Sequence, residues 1–116
     1  MVFCRKDDGG ALMGSISIAC YKPRAGCEEP LLELVRNHLP PLRAEGLVTD
    51  RSSIVMRTAE GTIVEVFEWV SQEAIAGAHQ NPVVLDLWKR FEALCFYETP
   101  SNLPEFQRMF SHFEPI

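Results

Sequence analysis

The chain has 116 residues, 47% of them hydrophobic and 23% charged, which suits one globular unit able to bury a core without metal or disulfide staples. Its formal net charge of −5, with the basic residues scattered singly, speaks against a nucleic acid or an anionic membrane as partner. Four cysteines, Cys4, Cys20, Cys27 and Cys95, form no C-x-x-C pair and have no histidine at zinc-finger spacing, so no metal site is expected and a reducing, cytoplasmic setting is.

Residues 1–14, MVFCRKDDGGALMG, carry no apolar run of signal-peptide length and read as a flexible lead-in to a single domain over residues 15–116. No stretch approaches the roughly 20 apolar residues of a membrane span. The run SISIACY, residues 15–21, has no charge on either face and predicts a central strand buried on both sides. A turn at KPRAG follows. Leu31, Leu34, Val35, His38, Leu39 and Leu42 then recur at helical spacing, predicting a helix over residues 28–45 with one buried face. Pro40 and Pro41 must bend or break it, and Gly46 suits its C-terminal cap.

LVTDRSSIVMRTA and TIVEVFEWV read as a β-hairpin turning at Glu60-Gly61. Ser71 caps the next helix, which Asn81-Pro82 interrupts. Beyond the break Val84, Leu87, Trp88, Phe91 and Leu94 share a face, and CFYET is a short fourth strand. The tail SNLPEFQRMFSHF predicts a small amphipathic helix with Leu103, Phe106, Phe110 and Phe113 inward. The order β-α-β-β-α-β plus a terminal helix is that of an α+β, ferredoxin-like fold, with strands one and three in the middle.

Strand three alternates Val64, Val66, Glu68 against Ile63, Glu65, Phe67, Trp69, so both sheet faces are mainly apolar. Helices cover one face of such a sheet. The other is expected to be covered by a second copy, sheet on sheet, giving a homodimer.

Candidate chemistry centres on His79, four residues after Ile75 and just before the Pro82 break. It reads either as a general base or hydrogen-bond donor to a ligand, or as a histidine satisfying loose carbonyls at the joint. Glu68 lies near the start of the same helix and is its candidate catalytic partner. Alternatively Glu65 or Glu68 pairs with Arg57 or Arg51 across the hairpin. Trp69, Trp88, Phe67, Tyr21 and Tyr97 are candidates for an aromatic pocket or for core, and Arg57 is a candidate substrate contact. His38, among apolar neighbours, reads as structural, and His112 as exposed. No nucleophile elbow, phosphate loop or dinucleotide fingerprint is present, which counts against hydrolases, kinases and classical dehydrogenases.

The run EVFEWVSQEAIAGAHQNP, followed by LWKRF and a short last strand, resembles the dimeric α+β barrel superfamily, in particular its antibiotic biosynthesis monooxygenase-like branch. The resemblance covers roughly residues 15 to 98 and carries over Glu68 and His79. It implies a homodimer with a small hydrophobic cavity between sheet and helices in each subunit. It also implies cofactor-independent oxygenation of a small aromatic or phenolic metabolite, through an anion that passes an electron to oxygen. Two readings follow: a monooxygenase-like enzyme, or a non-catalytic dimeric module that binds a small apolar molecule or serves as structure.

Overall fold

A computed structural model describes residues 14–116, so the expected flexible lead-in lies outside the described residues apart from Gly14. The chain runs β1 (Ser15–Pro23), α1 (Glu28–Arg36), α2 (Leu39–Ala44), β2 (Ile54–Arg57), β3 (Ile63–Trp69), α3 (Gln72–Ala78), α4 (Pro82–Leu94), β4 (Cys95–Glu98) and β5 (Glu114–Pro115). It is an α+β arrangement with one antiparallel sheet of order β4-β1-β3-β2-β5. The two least polar strands, β1 and β3, lie inside the sheet.

The expected first helix is two helices, and its prolines explain where it divides. Pro40 and Pro41 have no N–H to give to the carbonyls of Arg36 and Asn37, so α1 ends at Arg36. Both prolines sit instead in the first turn of α2, where an N–H has no intrahelical acceptor to lose. His38 occupies the junction and is turned inward, 3% exposed. The second break behaves likewise. Asn81 caps α4, its side-chain oxygen accepting from the N–H of Val83 at 2.9 Å and of Val84 at 3.4 Å. Ser71 caps α3 by accepting from Ala74 N–H at 3.0 Å.

The helix side of the sheet carries Tyr21, Ile63, Phe67 and Trp69, packed on Leu31, Val35, Leu42, Val84, Leu87 and Phe91. The strand alternation predicts this division of side chains correctly. Two expectations are corrected. Beyond Val48, which makes one isolated bridge to Trp69, the second strand is confined to Ile54–Arg57. The tail is not a helix: two 3-10 turns, Pro100–Asn102 and Pro104–Gln107, lead to β5 on the edge of β2. Prolines at the start of both turns and the exposure of Phe110 (72%) leave no continuous apolar stripe to hold an α-helix. Leu103, with Phe106 and Phe113 beside it, folds instead onto Cys20, Val64 and Met56 on the second sheet face. The chain's own tail therefore covers part of the face expected to be open.

Candidate functional site

A cavity of about 320 Å³ lies between the helix side of the sheet and α3, α4 and the α1–α2 junction. Strands β1 and β3 supply its floor through Ser17, Ala19, Tyr21, Phe67 and Trp69; Ile75, Trp88 and Phe91 form the helical wall. Glu92 and Tyr97, both exposed, frame the mouth. The volume is at the lower end for small-molecule sites and suits one or two fused rings.

His38 is the polar centre of this wall. Its Nδ1 lies 2.9 and 3.1 Å from the two carboxylate oxygens of Glu65, and the carboxylate also accepts from Tyr21 Oη at 2.7 Å. Glu65 is fully buried in mid-sheet, where an unpaired charge would be costly, and these two donors satisfy it. Burial, and then the Glu65 carboxylate beside it, push the Tyr21 phenol well above its usual range, so Tyr21 remains a donor. The carboxylate fixes the imidazole with its Nδ1 proton inward. Nε2 is left buried with no partner among the described residues. Phe67 and Phe91 hold the ring edge-on, at centroid distances of 5.4 and 5.0 Å. An imidazole oriented by a carboxylate, with its second nitrogen unpartnered, in a residue that lines a mainly apolar cavity is the arrangement of a general base or a hydrogen-bonding anchor.

The remaining polar groups are few. Trp69 Nε1 donates to Ser17 Oγ at 3.0 Å. Burial pushes the Tyr97 phenol up to about 12, so it stays protonated at the mouth. Among the described residues, no lysine or arginine lines the cavity.

Of the residues singled out from the sequence for an aromatic pocket, Tyr21, Phe67, Trp69, Trp88 and Tyr97 all meet at this cavity. His79 does not line it. It caps the C-terminal end of α3, exposed, with its ring edge-on to Trp88 at 5.1 Å rather than on the inner face of the helix. Glu68 points to the other sheet face, where Arg51 Nε donates to it at 2.9 Å and Thr49 Oγ1 at 3.0 Å; these bonds hold its carboxyl below the usual range. The expected pairing of an acid with Arg51 thus falls to Glu68. Arg57 faces Glu114 at 3.5 Å beside a separate polar hollow, which Glu105 and His112 also line.

His38 and Ser17 are the residues that the helical and strand periods hid; Glu65 stands out in the sequence, but its partners are His38 and Tyr21 rather than an arginine. His38 follows the apolar spacing of the first helix, so it reads as core. The signal for it is chemical: a mid-strand carboxylate on the helix-covered face requires a buried donor, and His38 is the titratable group on the facing stripe. Among the described residues, no group of three or more His, Cys, Asp or Glu side chains could hold a metal ion, and no helix is long and apolar enough to cross a membrane. The chain matches no protein-family model and no curated protein.

Proposed function

We propose that this cavity binds a small aromatic metabolite with an acidic O–H or C–H, and that His38 Nε2 takes that proton, with Glu65 and Tyr21 holding the imidazole. The observation that carries the reading is that a buried histidine lining a mainly apolar cavity keeps one ring nitrogen, Nε2, without a hydrogen-bond partner among the described residues. The chemistry we propose is cofactor-independent oxygenation, as the resemblance to the antibiotic biosynthesis monooxygenase-like branch implies. A ring CH₂ beside a carbonyl gives its proton to His38. The resulting carbanion passes one electron to O₂ and the two radicals combine, forming a C–O bond. The peroxide takes back the proton from His38. Loss of the second C–H proton and cleavage of O–O then release water, so that R₂CH₂ and O₂ become R₂C=O and H₂O. Apolar walls favour this route by keeping water from the intermediate.

The strand order β4-β1-β3-β2, with α1 and α4 on one face, supports the ferredoxin-like reading. The exposed Ile16, Ile18 and Ile54, on the part of the second face that the tail leaves open, support a homodimer of the dimeric α+β barrel kind.

The test is optical. A nitrophenol probe held at a pH below its own pKa should show the phenolate spectrum when bound, and His38→Gln should bind it as the neutral phenol. A probe that stays neutral in the wild-type protein would overturn the base assignment. Oxygen uptake with 2-indanone, a two-ring ketone whose ring CH₂ lies beside the carbonyl, lost in His38→Gln, would establish the enzyme reading. Phenolate binding with no oxygen uptake from any enolisable ring would instead make the protein a binding module.

A further inference from the structure

The cavity is walled by aromatic rings and rimmed by a negative charge. Tyr21, Phe67, Trp69, Trp88, Phe91 and Tyr97 supply the rings, and Glu92 is the carboxylate at the mouth. Trp88 and Glu92 also line a hollow on the outer side of α4, so both stand where the cavity opens. Burial, then Cys95, and then the Glu92 carboxylate push the Tyr97 phenol up to about 12, so the Glu92 charge is felt at the mouth and Tyr97 presents a neutral ring there. Among the described residues Glu92 makes no ion pair. Arg24 donates to the Glu92 carbonyl at 3.1 Å, but its guanidinium lies over the Phe96 ring at 4.0 Å and it does not line the cavity. Lys89 lines the outer hollow only, and Asp86 beside it is paired with Arg90 at 2.7 Å.

We infer that the site selects by charge: its ligand is a phenolic ring that also carries a cationic amine, with the ammonium held at the mouth by Glu92 and by the aromatic surface of Trp88 and Tyr97. The inference deepens the function proposed above and rests on its reading of this cavity as the ligand site. An organic cation is attracted to electron-rich ring faces, most strongly to indole. The carboxylate adds a Coulomb attraction that declines gradually with distance, so a short flexible chain serves and no fixed span between ring and ammonium is required. Anionic rings are disfavoured, because the lining holds the carboxylate of Glu92, with that of Glu65 bonded to His38, and among the described residues no lysine or arginine.

Three phenols of nearly one shape separate charge from fit: tyramine, tyrosol and 4-hydroxyphenylacetate, whose side chains end in an ammonium, a hydroxyl and a carboxylate. Both tryptophans of the chain line the cavity, so their indole N–H resonances report binding at this site. At low salt the wild-type protein should bind tyramine about fivefold more tightly than tyrosol, the scale of an exposed cation–π contact joined to a surface ion pair. 4-Hydroxyphenylacetate should bind more weakly than either. Glu92→Gln, which keeps the shape, should reduce the ratio to about twofold, what the rings alone supply, and leave tyrosol unchanged. Glu92→Lys, at an exposed position near the end of α4, should place 4-hydroxyphenylacetate first. Equal affinity for tyramine and tyrosol in the wild-type protein would overturn the inference, and so would a preference that Glu92→Gln leaves undiminished. Binding of all three that is indifferent to His38→Gln would overturn the His38 reading while the charge selection stood. Indole resonances that none of the three shifts would overturn the cavity as a ligand site, and this inference with it.

Discussion

Tyr21 and His38 hold one carboxylate from two sides, and neither can be removed without leaving Glu65 short of a donor. Tyr21→Phe deletes only a hydroxyl, so little packing is lost; the phenyl ring still stacks on Phe91 at 4.7 Å. The expected cost is about 1–3 kcal/mol, that of an under-satisfied buried acceptor, read as a lower urea midpoint with an unchanged slope. A neutral result would mean that water replaces the phenol. The cysteines give a second test at this scale. Burial pushes the Cys95 thiol up to about 11 and raises Cys20 as well, and both side chains are 2% exposed. Thiolate is the reactive form, so iodoacetamide at neutral pH should leave the peptides containing Cys20 and Cys95 unlabelled until the protein is unfolded. Rapid labelling of Cys95 in the native state would show that β4 opens from the sheet edge.

Elements place these residues, and two of their joints matter most. Asn81 caps α4 and also donates from its amide to Glu45 Oε1 at 3.0 Å, tying α4 to the end of α2. Asn81→Ala should cost about 1 kcal/mol, roughly 4 °C in melting temperature for a chain of this size; a larger loss would show that the tie to Glu45 contributes as well. In the tail, Glu105 Oε2 accepts from the Ala59 N–H at 2.9 Å, and this bond chiefly holds the Glu105 carboxyl below its usual range. A carboxyl with a folded-state pKa below its unfolded one stabilises the fold above the unfolded value and loses that contribution as pH falls through the folded one. Acidification below about pH 4.5, the ordinary carboxylate value, should therefore loosen the tail, and Glu105→Gln should flatten that part of the stability profile. Helix faces, strand alternation, the Ser71 cap and both proline breaks were legible because each rests on a local rule. The tail was not: its place is set by contacts of Leu103 and Phe113 with strands far away in sequence. His38 was hidden for the opposite reason. It obeys the local period so well that only its distant partner, Glu65 on β3, marks it as more than core.

At the scale of the molecule, the second sheet face decides whether one chain is the working unit. Its lower part is closed by the tail over Cys20 and Val64. Across its upper part Ile18, Val66 and Ile54 stand in one cross-strand row, with Ile16 next to it; Ile16, Ile18 and Ile54 are 60%, 46% and 60% exposed. Three isoleucines on one flat surface form a contiguous apolar patch of the sort that marks an interface. A second copy related by a two-fold axis would cover each row with its equivalent, and the Arg51–Glu68 pair at its margin would form a polar rim. The expected outcome in sedimentation equilibrium at micromolar concentration is a species of twice the 13.1 kDa chain mass. Ile18→Lys places a charge in the middle of the row, where two-fold symmetry sets it near its own copy, and should yield a monomer. Because Ile18 is half exposed in the single chain, that monomer should keep its helical circular dichroism and its affinity for phenolic probes. A wild-type protein that sediments as a monomer would sink the shared-face arrangement. A dimer indifferent to Ile18→Lys would move the contact to another surface, with the cavity and its His38–Glu65 pair still complete within one chain.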